Sequence, residues 1–148
     1  MIGDGPDRKR LELKYGATAT FVGTKHGQEL VDWLRLSDVL VFPSRTETFG
    51  LVLLEALACG VPVAAHDVMG PRDIVTHGVD GYLHEDLEKA ARECLTLSSA
   101  ACRAKALQYS WDSSVAQFIR NLVPAYLTLT AKESVELPMG DVGNPALY

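Results

Sequence analysis

The stretch that decides the fold is residues 42–63, which read FPSRTETFGLVLLEALACGVPV. The continuous apolar run at 39–43 ends in a proline, and such a run predicts a buried parallel strand. Residues 49–59 have the composition of a helix, which Gly60 and Pro62 bring to an end. A second short apolar run follows at 62–65. The stretch therefore predicts a strand, a helix and a second strand in close succession.

The same alternation extends outward in both directions. Strands are predicted at 19–23 and at the end of 78–83, and helices at 7–15, 27–36, 71–76, 85–98, 99–108 and 112–127, with Asp7 as a cap of the first. Alternating strands and helices predict an α/β domain in which a Rossmann-like parallel sheet is flanked by helices. We expect this domain to span residues 1–130, and 131–148 to form an irregular tail.

Composition narrows the class of protein. Of 148 residues, 47% are apolar and 22% are charged, as in an ordinary globular domain. Residues 47–101 hold three basic and nine acidic side chains, which argues against binding of nucleic acid. Three cysteines at unremarkable spacings indicate reduced thiols, and we expect no metal site. Trp33 and Trp111 are expected in the core.

Two carboxylates flank a predicted anion site. Glu47 ends a loop and Gly50 opens the next helix, so the N–H groups of Gly50, Leu51 and Val52 are free to bind an anion. Glu55 follows one turn deeper in an apolar helix, where a buried carboxylate needs a hydrogen-bond donor. A vicinal diol is a suitable donor. The pattern therefore favours a nucleotide, with its ribose near one carboxylate and a polyol near the other.

Simpler interpretations of the two carboxylates remain open. Glu47 is also suited to cap the helix and to favour its dipole. Glu55 is also compatible with an exposed position, or with an ion pair to an arginine elsewhere.

The stretch resembles the retaining glycosyltransferases of family 4, which have the GT-B architecture. Their signature is a glutamate, seven residues and a second glutamate, preceded by Pro-Ser and followed by a small residue, Gly, any residue, Pro and Val. Further matching motifs are GDGP at 3–6, FVG at 21–23, HGVDGY at 77–82 and SWD at 110–112. The resemblance covers roughly residues 2–127, and the parent resembles bacterial α-mannosyltransferases that use GDP-mannose.

The resemblance implies a role for each residue of the signature. Glu47 would contact the hydroxyls of the donor sugar and stabilise an oxocarbenium-like transition state. The backbone of Thr48, Phe49 and Gly50 would line the transferred sugar. The N–H groups of Leu51 and Val52 would hold the diphosphate, and Glu55 would accept from the ribose hydroxyls.

Four residues outside the signature also receive roles from the resemblance. Lys25 would lie near the nucleobase, Gly70 would allow a loop to approach the donor, and Gly3 and Gly5 would shape the rim of the site. A solvated loop position remains an alternative for Lys25. A plug of the core at the start of the helix remains an alternative for Phe49.

The chain departs from the family at its ends. A complete enzyme has two halves of similar size, and we expect the N-terminal acceptor domain and the first strand–helix unit of the donor half to lie before Met1. In the family, that unit carries an arginine and a lysine that clamp the diphosphate. Its absence predicts an exposed sheet edge, through which two copies of the chain could pair as a homodimer.

The resemblance thus implies the donor-binding half of an enzyme that transfers a hexose, mannose in the first instance, with retention. The donor would be GDP-mannose or a UDP-sugar, with no metal or other cofactor. The fragment alone is expected to be inactive. We expect a cytoplasmic location, at the inner membrane surface in the full-length parent. The alternative is a non-catalytic module that binds a nucleotide sugar or another protein and self-associates.

Overall fold

The computed structural model of the protein describes residues 1–122. Its sheet consists of three parallel strands in the order β1 (Leu40–Phe42), β2 (Val63–Ala65) and β3 (Gly81–Leu83). Leu40 lies opposite Val63, which in turn lies opposite Gly81. The predicted parallel α/β sheet is confirmed. The predicted tail at 131–148 lies outside the described residues.

Seven helices surround these strands in the described part of the chain. They are α1 (Arg8–Tyr15), α2 (Gly27–Arg35), α3 (Leu51–Ala58), α4 (Pro71–Ile74), α5 (Leu87–Cys94), α6 (Ser99–Ala106) and α7 (Trp111–Asn121). Each begins within two residues of its predicted start, and the predicted end of the last helix at 127 lies outside the described residues.

The central strand β2 divides the core into two layers. Its three residues are fully buried, and successive side chains of a strand point to opposite faces of the sheet. Val63 and Ala65 pack with α3, α2 and α6, whereas Ala64 packs with Ala90 and Cys94 of α5. The strand β2 is thus packed between helices on both faces of the sheet.

The strand predicted at 19–23 is not formed. Ile2 and Gly23 make a single parallel bridge, in which the N–H of Gly3 donates to the carbonyl oxygen of Gly23 at 2.8 Å. Two short parallel segments that are not covered on both faces lack the burial that stabilises parallel pairing.

Two further expectations fail near the ends of the described chain. The Asp7 carboxylate makes no cap hydrogen bond, because it accepts from Nε of Arg10 at 3.0 Å instead. Trp111 is 88% exposed rather than part of the core, because α7 contributes no buried residue. Trp33 is half-buried.

Candidate functional site

The loops that follow β1 and β2 meet at the carboxyl edge of the sheet, where ligands bind in open α/β folds. The first loop ends at Gly50, whose φ of 81° and ψ of 56° are left-handed. A glycine adopts this conformation without steric cost, so the chain turns sharply there and α3 begins at Leu51.

The Glu47 side chain folds over its own loop. One carboxylate oxygen accepts from the N–H of Thr48 at 2.8 Å and from the N–H of Phe49 at 3.3 Å. It does not accept from Leu51 or Val52, the first residues of α3. The cap of α3 is therefore not its role in this structure, and its second oxygen has no hydrogen bond within residues 1–122.

Two glycines enclose Glu47. A Cβ atom added to Gly70, whose φ is +90°, would lie 3.1 Å from Cβ, Cγ and the carbonyl oxygen of Glu47. A Cβ atom added to Gly50 would lie 2.9 Å from Cδ1 of Leu53 and 3.4 Å from Cγ of Glu47. Glycine at both positions therefore lets the loops close tightly around this carboxylate.

The first turn of α3 leaves donors free beside Glu47. The N–H of Leu53 donates to the carbonyl oxygen of Gly50 at 2.9 Å, whereas those of Leu51 and Val52 have no acceptor among residues 1–122. Free N–H groups and the helix dipole together favour an anion at this position. The structure therefore has the local geometry that the sequence predicted for the start of this helix.

Glu55 is exposed, so the expectation of a carboxylate buried in an apolar helix was wrong. The period of the helix explains this, because Leu53, Ala56 and Leu57 form its buried face. Glu55 lies one turn from Leu51 on the solvent side, and it makes no salt bridge within the described residues. Four residues of an α-helix span about 6 Å, so Glu55 lies about this far along α3 from Leu51.

A cavity of about 570 Å³ opens beside the loop; it is lined by Arg45, Thr46, Glu47, Thr48 and Met69. Its volume is in the range of small-molecule sites. The sequence did not single out Arg45, Thr46 or Met69. Arg45 had a detectable signal, because it is the one basic residue between positions 36 and 71.

Phe49 packs at the margin of this site rather than in the core. It is 45% exposed, and its ring meets that of Tyr109 edge to face with centroids 6.4 Å apart. The hydroxyl of Tyr109 donates to the carbonyl oxygen of Asp73 at 3.1 Å. Burial raises the pKa of this phenol, which therefore stays a neutral donor at physiological pH. Tyr109 thus connects Phe49 to the end of α4.

Three predicted residues lie apart from the Glu47 cavity. Gly3 and Gly5 line a separate cavity of about 240 Å³, which also includes Leu11 and Phe21. Lys25 forms an ion pair with Glu29, and its side chain is 17% exposed. Of the residues to which the resemblance gives roles, only Glu47 and Thr48 line the Glu47 cavity; Gly3, Gly5 and Lys25 do not. The solvated alternative for Lys25 does not describe it either, since the side chain is largely covered.

Residues 1–122 contain neither a cluster of metal ligands nor a membrane-spanning helix. No group of three or more histidine, cysteine, aspartate or glutamate side chains is arranged to hold a metal ion. None of the helices is long and apolar enough to cross a membrane.

Comparison with known proteins decides the family. The model of the family described as glycosyl transferases group 1 matches residues 1–100. The chain belongs to this family. A D-inositol 3-phosphate glycosyltransferase of Thermobispora bispora is 41% identical over 100 residues, which are 60% of this chain and 23% of that protein.

Further relatives of this group 1 chain include a GDP-mannose-dependent α-mannosyltransferase of Mycobacterium tuberculosis. It is 45% identical over 83 residues, which are 56% of this chain and 22% of that protein. The fold is shared with the pneumococcal O-GlcNAc transferase solved with UDP and GlcNAc, at a TM-score of 0.66 and 18% identity, covering 80% of this chain and 28% of that one. The chain thus spans about a quarter of the length of these relatives.

Proposed function

We propose that this chain is the donor-binding part of a retaining glycosyltransferase that transfers a hexose from a nucleoside diphosphate sugar. One observation carries the proposal: the free N–H groups of Leu51 and Val52 lie at the start of α3, beside a carboxylate that two glycines enclose. In a group 1 glycosyltransferase, this arrangement suits a diphosphate next to a sugar.

Each residue of the site receives a role under this proposal. The diphosphate accepts from the N–H groups of Leu51 and Val52. The sugar lies against Thr48, and its hydroxyls donate to the free carboxylate oxygen of Glu47. The exposed Glu55 accepts from the ribose. The Glu47 carboxylate beside the sugar would stabilise positive charge that develops at the anomeric carbon.

GDP-mannose is our proposed donor, and a UDP-sugar is the alternative. The relative named for GDP-mannose supports the first, and the fold neighbour solved with UDP supports the second. The 148 residues alone are proposed to bind donor without transferring sugar, with an N-terminal acceptor domain of the parent completing the enzyme. For that parent we propose a cytoplasmic location at the inner membrane surface, which cell fractionation would test.

Ligand-observed NMR tests the binding of nucleotides directly. The purified chain is mixed with GDP, UDP and ADP and with their sugar derivatives, and saturation transfer to each is measured. We expect transfer to one nucleotide series, reduced in Glu55→Gln. The matched control is Glu93→Gln, which removes the same charge from α5. No transfer to any nucleotide, or equal transfer in Glu55→Gln and the wild type, would contradict the proposal.

One observation favours self-association as a second candidate function. The N–H of Leu40 donates to the carbonyl oxygen of Pro62 at 2.9 Å, so the backbone groups of Val41 point away from β2. Val41 is also 47% exposed. An edge that has no strand partner within residues 1–122 can accept a strand of a second copy. Light scattering would then give a dimer mass that Val41→Pro reduces, and a monomer at high concentration would refute it.

A further inference from the structure

One ion pair joins two loops across the carboxyl edge of the sheet. Arg45 follows β1 and Glu85 follows β3, and Nη2 of Arg45 lies 2.8 Å from Oε2 of Glu85. The strand β2 lies between β1 and β3, and neighbouring strands are about 4.8 Å apart. The two side chains therefore reach toward each other over the end of β2.

Among residues 1–122, Arg45 is also the one basic residue that lines the Glu47 cavity. The other lining residues are two threonines, a methionine and Glu47 itself. The surrounding sequence is acidic, because residues 47–101 contain three basic and nine acidic side chains. A phosphate group that enters this cavity can therefore meet only Arg45 as a charged side-chain donor from the lining.

The pair with Glu85 is of a kind that a ligand can break. Both side chains are exposed, by 59% for Arg45 and 70% for Glu85, and such pairs shift an equilibrium by about fivefold or less. A phosphate can bind a guanidinium through two parallel hydrogen bonds, whereas a single hydrogen bond joins Arg45 to Glu85. The guanidinium of Arg45 holds the pKa of the Glu85 carboxyl below its usual value, so Glu85 stays charged at neutral pH.

We propose that Arg45 binds a phosphate group of the ligand in the Glu47 cavity, and that Glu85 holds Arg45 until the phosphate displaces it. The carboxylate thereby competes with the ligand and lowers its affinity. The inference rests on the proposed function in that it assigns a phosphate-bearing ligand to the same cavity. The phosphate has two candidate sources, the diphosphate of the donor and a phosphorylated acceptor.

Affinities of the full chain for phosphate compounds test this inference. Inorganic pyrophosphate, UDP, GDP and glucose 6-phosphate are titrated into the wild type, Arg45→Gln, Glu85→Gln and the double variant. We expect Arg45→Gln to weaken binding about tenfold, as for the loss of a charged hydrogen bond. Glu85→Gln should strengthen binding about two- to fivefold, since it removes the competing ion pair.

The double variant separates displacement from a simple effect of charge. If Glu85 acts by holding Arg45, the double variant binds as weakly as Arg45→Gln. If Glu85→Gln raised the affinity equally in the wild type and in Arg45→Gln, the proposed competition between Glu85 and the ligand would be overturned. The matched control is Glu88→Gln, because Glu88 pairs with Arg92 at 2.8 Å on the exposed side of α5. It removes the same charge, and it should leave all affinities unchanged.

The responses to the different ligands distinguish this inference from the proposed function. They also distinguish the two candidate sources of the phosphate group. A tenfold loss for UDP or GDP in Arg45→Gln supports the donor as the source, and a loss confined to glucose 6-phosphate supports an acceptor. Nucleotide binding that falls in Glu55→Gln but not in Arg45→Gln would overturn this inference and leave the proposed function standing. If no nucleotide binds, the proposed function fails, and pyrophosphate alone decides whether Arg45 binds phosphate.

Discussion

Two regions of the molecule differ in how far their apolar residues are buried. Between β1 and α6, residues such as Leu57 and Val63 are fully buried. In α1 and α7 no residue is buried, and Leu13 and Trp111 are 90% and 88% exposed. The Glu47 loop is largely exposed, but it ends at the buried Gly50 where α3 begins, so the packed region anchors that end of the loop. Gly3 precedes α1 in the unpacked region, and the same core does not position it.

The largest difference between the regions should appear in stability. Leu57→Ala removes a fully buried side chain of α3 and leaves a cavity, so the free energy of unfolding should fall by about 2–5 kcal/mol. Leu13→Ala in α1 should change it by about 0.5 kcal/mol or less, because this side chain is exposed. Urea denaturation measures both, and equal losses would show that α1 is packed as well.

A smaller difference in the free energy of unfolding is expected between alanine substitutions at two glycines with left-handed φ values. Gly70→Ala and Gly78→Ala both place a side chain at positive φ, at 90° and 79°. Gly78 has nothing within 4 Å of the added Cβ atom, so we expect a loss of about 1 kcal/mol from strain alone. Gly70 adds the contact with Glu47, and we expect about 2–3 kcal/mol. Equal losses in urea denaturation would mean that Gly70 does not confine Glu47.

The caps of α5 and α7 give a third test of the comparison. Asp86 accepts from the N–H of Glu88 at 3.0 Å and that of Lys89 at 3.2 Å, and Ser110 accepts from that of Ser113 at 3.0 Å. Asp86→Ala should lower the free energy of unfolding by about 1 kcal/mol, because α5 packs on the sheet. Ser110→Ala should shorten α7 and so reduce the helical signal in the circular dichroism spectrum, without lowering the midpoint of global unfolding. A comparable drop in both midpoints would place α7 within the packed unit.

The substitution expected to change stability least at neutral pH is that of Cys94 in the core. Burial raises the pKa of its thiol to about 11. The thiol of Cys94 has a higher pKa in the folded than in the unfolded protein. It therefore contributes stability at pH values below its unfolded pKa, and this contribution is lost as the pH rises through its folded pKa. Stability should therefore decline between about pH 9 and 11, and less steeply in Cys94→Ala. Parallel pH profiles of both proteins would rule out a contribution from Cys94.

The same contrast explains what the sequence could predict. The apolar run at 62–65 predicts a buried strand, and β2 is fully buried, because a run without polar residues leaves no face for solvent. Gly50 and the signature around it predict the sharp entry to α3 for a local reason, since a left-handed φ requires glycine. Features that depend on neighbouring residues alone were therefore predicted well.

Features that depend on distant partners were not predicted. The strand at 19–23 and the burial of Trp111 both needed a packing surface, which no local pattern specifies. The pair of Arg45 and Glu85 joins residues forty positions apart, and only the topology of the sheet brings them together. The exposure of Glu55 was predictable, because the spacing of Leu53, Ala56 and Leu57 already marks the opposite face of α3.

Amide chemical shifts of the full chain test the central claim most directly. The ¹⁵N-labelled protein is titrated with GDP and UDP, and shift changes are mapped on the described residues. We predict the largest changes at the N–H groups of Leu51 and Val52, with smaller ones at Thr48 and Gly70, because these groups surround the proposed phosphate and sugar positions. Changes confined to the separate cavity around Leu11, with none at the start of α3, would contradict it.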